Sequence, residues 1–254
     1  MGRGLIRLWT SDGRIAGELT GHDSDPTEAV FSPEGTVLVS GDLAGRIRLW
    51  DVTTKQMLYS FVGAPHGQVE GLIEQFRRVC HFAFTADGKR LAFEGRDEQG
   101  LIQVWDIQYP RPIVAWVGSL LQSDQFLCDL TFSPDGHLLA VADFDQDVVR
   151  LFNARSLAQE GMLQIPDDMA IAIAFSPDGR FLATAGAAGT VWFWEMSSRQ
   201  IVGSFAAHPE GPDYRKNAQE WALGDMDWSS DGRYLVACGR DPYTVKLWEV
   251  QIRV

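Results

Sequence analysis

Two segments of the chain, residues 62–78 and 206–222, hold the side chains best suited to recognising another molecule. Each mixes cations with aromatic rings, and Arg and aromatic residues are enriched at protein interfaces. The chain has a net charge of −12, so these cations are a local exception. A solvated loop with ordinary surface charge is the alternative interpretation. The candidate partner-binding residues are His66, Phe76, Arg77, Arg78, Tyr214, Arg215, Lys216 and Trp221.

The rest of the sequence offers little with which to do chemistry. It contains no Gly-x-Ser-x-Gly elbow, no phosphate-binding glycine loop, and no Cys-x-x-Cys or His-x-x-x-His metal spacing. Asp143, Asp145 and Asp147 alternate as in a calcium loop, but no Gly or Glu follows at the required positions, which favours a polar loop. We therefore expect no catalytic residue, no metal site and no cofactor.

Six copies of one short sequence pattern predict the framework that positions the segments 62–78 and 206–222. Three copies begin with an apolar pair and three with a polar residue followed by an apolar one. A polar residue (Trp192 in one copy), an apolar residue, and then Trp or a substitute follow. The copies are residues 5–9, 46–51, 101–106, 148–153, 190–195 and 244–249. A repeat of this kind predicts units that bury their apolar faces against their neighbours. Proteins built from such units usually bind rather than catalyse.

Five tight turns recur between these copies. Each has an acidic residue followed by Gly, which takes the positive φ that other residues resist. The turns are residues 32–35, 85–88, 133–136, 176–179 and 229–232. An aromatic residue precedes each turn and a short apolar run follows it, so the repeat unit reads as four short strands. The fold class predicted from the residues alone is all-β.

The repeats resemble the WD-repeat β-propeller family over essentially the whole chain. The best match has Gly21-His22 followed at the family's spacing by Trp50-Asp51, and the opening repeats look most like bacterial members. The resemblance implies a single propeller domain over residues 1–254, with five blades and an N-terminal two-stranded half blade. The predicted boundaries are 4–20 for the half blade, and about 26–62, 79–118, 126–165, 169–206 and 222–250 for the blades.

The family has a hydrogen-bond relay in each blade that runs from His through Ser or Thr and Asp to Trp. Carried over by position, the first full blade has His22, Ser40 and Trp50, but Ala44 stands where the Asp belongs. We therefore expect an incomplete relay there, and a much smaller effect of His22→Ala than of Trp50→Ala. The matching structural residues elsewhere are Trp105, Thr184, Trp194, Asp241 and Trp248, and no blade has all four.

The two repeats that contain the segments 62–78 and 206–222 are each about a dozen residues longer than the family's usual repeat of about 40–45 residues. Each joins the fourth strand of one blade to the first strand of the next, so both emerge at the face that carries the family's usual partner contacts. Val69, Leu72, Ile73 and Phe76 have helical spacing, which predicts a two-turn helix that either caps the channel or receives a partner. Trp192 could likewise be an exposed docking residue or cover a neighbouring blade.

Counting strands gives one more than five closed four-stranded blades need and too few for seven. We therefore expect an incomplete ring whose first and last blades expose apolar edges. Such edges favour self-association, or pairing with a separate chain that supplies the missing blades. A truncated gene product is an equally physical explanation of the strand count.

These observations favour a non-catalytic scaffold that binds a protein or peptide on the face with the two insertions. The first alternative is a detached sensor part of a larger signalling ATPase or kinase, and a propeller hydrolase ranks last. The acidic composition argues against nucleic acid and anionic membranes as partners. The chain lacks a long apolar run and its start lacks a signal peptide, so we expect a cytoplasmic location.

Overall fold

The fold was analysed in a computed structural model, which describes residues 4–63, 80–95, 102–108, 113–120, 127–143, 146–207, 224–238 and 245–251. Every regular element in these ranges is a β-strand. The strands are β1 (Leu5–Trp9), β2 (Ile15–Thr20), β3 (Pro26–Phe31), β4 (Val37–Asp42), β5 (Arg46–Asp51), β6 (Met57–Val62), β7 (Cys80–Phe84), β8 (Arg90–Glu94), β9 (Ile102–Gln108), β10 (Ile113–Leu120), β11 (Leu127–Phe132), β12 (Leu138–Asp143), β13 (Val148–Asn153), β14 (Gln159–Gln164), β15 (Ala170–Phe175), β16 (Phe181–Gly186), β17 (Thr190–Glu195), β18 (Gln200–Ala206), β19 (Asp225–Trp228), β20 (Tyr234–Cys238) and β21 (Val245–Glu249).

The strands form antiparallel sheets in which sequence neighbours pair. Strands β1 and β2 form a hairpin, and four sheets of four strands follow: the first sheet (β3–β6), the second (β7–β10), the third (β11–β14) and the fourth (β15–β18). The fifth sheet has three described strands, β19–β21. The hairpin and the first two sheets belong to one compact unit, Met1–Asp124, and the remaining sheets to a second, Gln125–Val254. The predicted all-β fold class is confirmed.

The turns between the first and second strands have the predicted chemistry. In the fourth sheet, Gly179 has a φ of 71° and donates its amide to the Ser176 carbonyl at 2.8 Å. The Ser176 hydroxyl bonds the Asp178 carboxylate at 2.6 Å, and the Asp178 carboxylate accepts the Arg180 amide at 3.0 Å. These bonds close the turn locally, so the sequence alone is enough to fix where each hairpin reverses.

The core of each unit lies between successive sheets. In the second unit, Val149 and Leu151 on β13 pack against Trp194 on β17, and Val191 and Phe193 on β17 pack in turn against Trp248 on β21. The first unit repeats the arrangement, with Ile47 and Leu49 on β5 packing against Trp105 on β9. In these three cases, one face of a third strand therefore supports the Trp of the next sheet.

Trp192 is a further part of this core. Its side chain is 8% exposed and packs in the cluster that joins the third and fourth sheets. It also fills the space beside Gly186, where an added methyl group would lie 2.6 Å from the Trp192 ring. Of the two interpretations of this residue, covering the neighbouring sheet is confirmed.

Candidate protein-binding surface

The two predicted partner-binding segments occupy equivalent places in the repeat. One joins β6, which ends at Val62, to β7, which begins at Cys80, and the other joins β18 to β19. Other connections of this type are much shorter, over residues 21–25, 121–126 and 165–169. The predicted helix around residues 69–76 and these predicted site residues lie outside the described residues: His66, Phe76, Arg77, Arg78, Tyr214, Arg215, Lys216, Trp221 and Asp241.

A buried polar network holds the first sheet, at the point where the chain enters β3. The His22 Nδ1 atom lies 2.8 Å from Oδ2 of Asp42, and Nε2 lies 2.7 Å from the Ser40 hydroxyl. The Trp50 indole donates to the same hydroxyl at 2.8 Å. With Nδ1–H donating to Asp42, Nε2 accepts the Ser40 proton, and all four side chains are satisfied together.

Asp42 completes a relay that we expected to be broken. The family pattern places the acid at Ala44, and that expectation is wrong for this sheet. Asp42 ends β4, so its Oδ1 accepts the amides of Ala44 and Arg46, each at 3.0 Å, while Oδ2 faces His22. The carboxylate of this last strand residue therefore both closes the turn and anchors the His22 side chain. An Asp at the end of the second strand was the sequence signal that could have revealed it.

The contacts Asp42–His22–Ser40 have the order of an acyl-transfer triad. Their burial argues against that role, because Ser40 and Asp42 are 0% exposed and His22 is 5% exposed. The Ser40 oxygen also accepts the Trp50 indole proton, so one of its lone pairs is occupied. A nucleophile must reach its substrate, and this one is sealed beneath packed side chains. The arrangement stabilises the sheet.

The ionised form of Asp42 is favoured by its partners. Burial by itself would raise the pKa of the Asp42 carboxyl, but the hydrogen bonds from His22 and from the amides of Arg46 and Ala44 outweigh it and hold the pKa below its ordinary value. The folded state therefore binds the Asp42 proton less readily than the unfolded state does. This difference makes part of the stability depend on pH.

We expect Asp42→Asn to flatten the acid limb of the stability profile. Because the folded pKa is depressed, the contribution of Asp42 is fully present above the unfolded value of about 3.9 and is lost as pH falls through the folded pKa. The asparagine variant should be less stable than wild type at pH 7, with a gap that narrows below about pH 4. Urea unfolding between pH 7 and pH 3 measures this. Parallel profiles for the two proteins would contradict the assignment.

Arg48 extends the network toward solvent, and the sequence analysis did not identify it. Its side chain is 7% exposed, Nη2 donates to Asp23 at 3.1 Å, and Nη1 lies 4.0 Å from Asp42. Within the described part of the chain, Nε and Nη1 have no hydrogen-bond partner. The third sheet has an equivalent pair, in which Arg150 Nε donates to the buried Asp143 carboxylate at 2.7 Å. The first and third sheets therefore share one arrangement, in which an Asp ends the second strand of the sheet and an Arg lies in the middle of the third strand.

The other sheets satisfy their Trp residues in different ways. Trp105 donates to Gln103 Oε1 at 2.9 Å, and the Gln103 amide group donates to the carbonyls of Gly63 and Gly95. Gln103 therefore takes the place of the relay's hydroxyl. The family pattern offered no hint of this, because position 103 is simply the variable polar residue of the repeat.

The fourth and fifth sheets also differ from each other in what accepts the hydrogen bond of the Trp indole. Trp194 donates to the Thr184 hydroxyl at 3.0 Å, and the Asp168 carboxylate accepts the Ala188 amide at 3.1 Å. An acid from the connection before the sheet thus serves the turn where Ala188 lacks one. Trp248 lies on the strand beside β20, where Ala237 stands at the hydroxyl position, so its indole has no side-chain acceptor there.

Two classes of site receive no support from the described residues. No helix in these ranges is long and apolar enough to cross a membrane. No group of three or more His, Cys, Asp or Glu side chains in the same ranges could hold a metal ion.

Successive antiparallel sheets, four of them with four strands, are joined last strand to first and pack face to face within each unit, which is the arrangement of a β-propeller fold built from repeats. Three stretches of the chain, residues 13–51, 167–195 and 217–249, match the family described as WD domain, G-beta repeat. A chain in the crystal structure of the mitotic checkpoint complex has the same fold, with a TM-score of 0.74 and 19% identity over 97% of this chain and 70% of that one. The three matched stretches are therefore similar to repeats of the WD family.

Several animal proteins are similar over nearly the whole chain. WD repeat-containing protein 1 of Xenopus tropicalis is 24% identical over 98% of this chain, and actin-interacting protein 1 of Drosophila melanogaster is 25% identical over 94%. The chain spans 37% and 36% of the length of these two relatives. The expected likeness to bacterial members has no support from these proteins, which are eukaryotic.

Proposed function

We propose that this protein is a non-catalytic scaffold that binds a protein or peptide segment through its two long connections, residues 62–78 and 206–222. The observation that carries the proposal is their length, because equivalent connections elsewhere in the repeat span only residues 21–25 or 165–169. Loops on a rigid β scaffold are the usual place for recognition, since they vary without disturbing the core.

The composition of the two segments supports the same conclusion. Arg77, Arg78, Arg215 and Lys216 place four cations on a chain of net charge −12, which favours a partner segment with acidic side chains. The aromatic residues Phe76, Tyr214 and Trp221 can supply the apolar anchors that dominate binding energy. At the start of the first connection, the buried Gln103 amide group donates to the Gly63 carbonyl and so anchors the end of the preceding sheet.

We rank two other functions lower. A detached sensor part of a signalling ATPase or kinase rested on the likeness to bacterial repeats, which the animal relatives do not support. A hydrolase would need an accessible nucleophile, and the one Ser–His–Asp arrangement described above is buried. A cytoplasmic location is part of the proposal. It is supported by the similarity of the chain to WD repeat-containing protein 1 and actin-interacting protein 1.

Replacing Arg77, Arg78, Arg215 and Lys216 with Ser should abolish partner capture and leave thermal stability nearly unchanged. The proposal requires these side chains to be accessible to the partner, and accessible charges contribute little to stability. The measurement is affinity enrichment with cross-linking, in which cross-links from wild type should fall within residues 62–78 or 206–222. A matched variant changes four exposed cations elsewhere to Ser, and it should bind as wild type does: Arg14, Lys89, Arg155 and Arg233.

Two outcomes would sink the proposal. One is equal partner recovery by wild type and the insertion variant. The other is an equal loss in both variants, because that would show that total charge, and not these segments, governs capture. Turnover of an ester, lactone or peptide substrate by the purified protein would favour the hydrolase instead.

A further inference from the structure

The residue in the middle of each third strand has a contact that depends on the connection before its sheet. This residue lies two positions before the Trp or Phe of the repeat, and in the five sheets it is Arg48, Gln103, Arg150, Trp192 and Lys246. In the first, third and fourth sheets, which short connections precede, Arg48 and Arg150 donate to Asp side chains and Trp192 packs beside Gly186. In the second and fifth sheets, which the two long connections precede, the residue donates to the main chain where the connection begins.

Gln103 holds the start of the first long connection, residues 62–78. Its side-chain amide group donates to the carbonyl of Gly63, the residue that follows β6. The Gly63 amide donates in turn to the Gly45 carbonyl at 2.9 Å. A methyl group added to Gly63 would lie 2.5 Å from Cδ1 of Ile47, so the main chain lies tight against the first sheet. Hydrogen bonds on both sides and close packing therefore fix where this connection starts.

The same amide group also reaches a second connection. Gly95 follows β8 and begins the connection 95–101, which is longer than its counterpart 43–45 in the first sheet. The Gly95 carbonyl accepts the Gln103 amide group at 3.0 Å. A methyl group added to Gly95 would lie 2.7 Å from the Gly63 carbonyl oxygen, so the two connections begin side by side. One buried side chain, 2% exposed, therefore fixes the start of both.

Lys246 makes the equivalent contact in the second unit. Its Nζ donates to the carbonyl of Ala207, the residue that follows β18, at 2.7 Å. The Ala207 amide donates to the Gly189 carbonyl at 2.8 Å, as the Gly63 amide does to Gly45. Ala207 is buried and packs in the core of the fourth and fifth sheets. The second long connection, residues 206–222, therefore begins in the same way as the first, although the donor is an ammonium group.

We propose that Gln103 and Lys246 are positioning residues for partner recognition, each setting the direction in which one long connection leaves its sheet. This inference rests on the proposed function, because it assigns to these side chains the preorganisation of the segments that bind the partner. A long connection loses conformational freedom when a partner orders it, and a fixed starting point lowers that cost. A short connection is already held by its two ends, which explains why the contact is absent before the first, third and fourth sheets.

Native-state cleavage by trypsin tests the proposal on the intact chain with no partner present. The first long connection contains cleavage sites after Arg77 and Arg78, and the second contains sites after Arg215 and Lys216. Cleavage at such a site becomes faster as its segment opens more often. The rate at each pair of sites, followed by mass spectrometry, therefore reports on one connection at a time.

Lys246→Met keeps the apolar stem and removes the donor. It should speed cleavage of the second connection by about tenfold and leave the first unchanged. Gln103→Met should do the reverse, and Lys246→Arg should restore the wild-type rate because it keeps a donor. Arg7→Met is the matched control, since Arg7 has the same place in its own copy of the repeat but bonds Glu18 on the neighbouring strand, and it should change neither rate.

Urea unfolding of each variant separates local loosening from a general loss of stability. Gln103→Met also removes the acceptor of the Trp105 indole, so its unfolding midpoint should fall, whereas that of Lys246→Met should stay close to wild type. If Gln103→Met does not fold, Lys246→Met decides the matter by itself. In the capture experiment, Lys246→Met should lose cross-links from residues 206–222 and keep those from residues 62–78.

Three results would overturn the proposal. The first is cleavage of the second connection at the wild-type rate in Lys246→Met. The second is equal acceleration at both pairs of sites, because that would show a general stabilising role. The third is faster cleavage of residues 206–222 with all of their cross-links to the partner retained. The cleavage rates need no partner, so they distinguish failure of this inference from failure of the proposed function.

Discussion

Replacing Asp42 with Ala should lower the free energy of unfolding by about 3–5 kcal/mol, because several buried donors lose their acceptor at once. Asp42 is 0% exposed, and its two oxygens serve His22 at 2.8 Å and the amides of Ala44 and Arg46 at 3.0 Å. The cavity that alanine leaves offers those donors no replacement. Urea unfolding followed by Trp fluorescence measures the change.

A surface acid gives the matched control for this prediction. Asp106 accepts Arg90 Nε at 2.8 Å, but its side chain is 44% exposed, so Asp106→Ala should cost about 0–1 kcal/mol. His22→Ala should approach the cost of Asp42→Ala, since it leaves the buried Asp42 carboxylate without its imidazole donor. A loss from His22→Ala far below that from Trp50→Ala would instead support the original expectation of a broken relay at Ala44.

Replacing Trp50 with Ala should cost about 3–5 kcal/mol through lost burial and a residual cavity. Trp50 is 1% exposed and packs with Leu8, Leu19 and Leu38 between the hairpin and the first sheet. Its loss also removes the indole donor to Ser40, 2.8 Å away. Thermal and urea unfolding should agree on a large decrease, and exchange of the hairpin amides should quicken most.

Trp9 is the matched control, because it occupies the same place in its own copy of the repeat. Both residues follow a register shift between the third strand and the fourth, at Leu8/Trp9 and at Leu49/Trp50. Trp9 is 58% exposed, so Trp9→Ala should cost less than about 1 kcal/mol. Equal losses from the two Trp substitutions would show that burial does not govern their contributions.

Most of the fold could be predicted from the sequence, because its signals are local. The alternation within segments such as Arg46–Asp51 places apolar residues on one face of a strand whatever lies beyond it. A turn such as residues 176–179 closes with bonds among residues that are close in sequence. Six copies of the same pattern then require sheets that bury their faces against one another.

The buried side-chain hydrogen bonds could not be predicted as reliably. The family pattern gives the sequence positions of the polar residues, but not how far each side chain extends. The pattern assigned the relay acid to Ala44, yet a carboxylate two residues earlier meets both His22 and the turn amides. Gln103 replaces a hydroxyl in the second sheet because its longer side chain spans the distance to Trp105. Geometry within a few ångströms selects these partners, and residue spacing alone does not record it.

The sequence by itself determined the strands, the turns and the repeat, since hydrophobic period and glycine φ act within a few residues of each other. Only the tertiary structure decided which acids join neighbouring sheets. Glu28 meets amides more than fifty residues away, and Asp129 meets Ile173 on a strand of the next sheet. A hydrogen bond between sheets depends on how their first strands are packed together, and residue spacing alone does not record that packing.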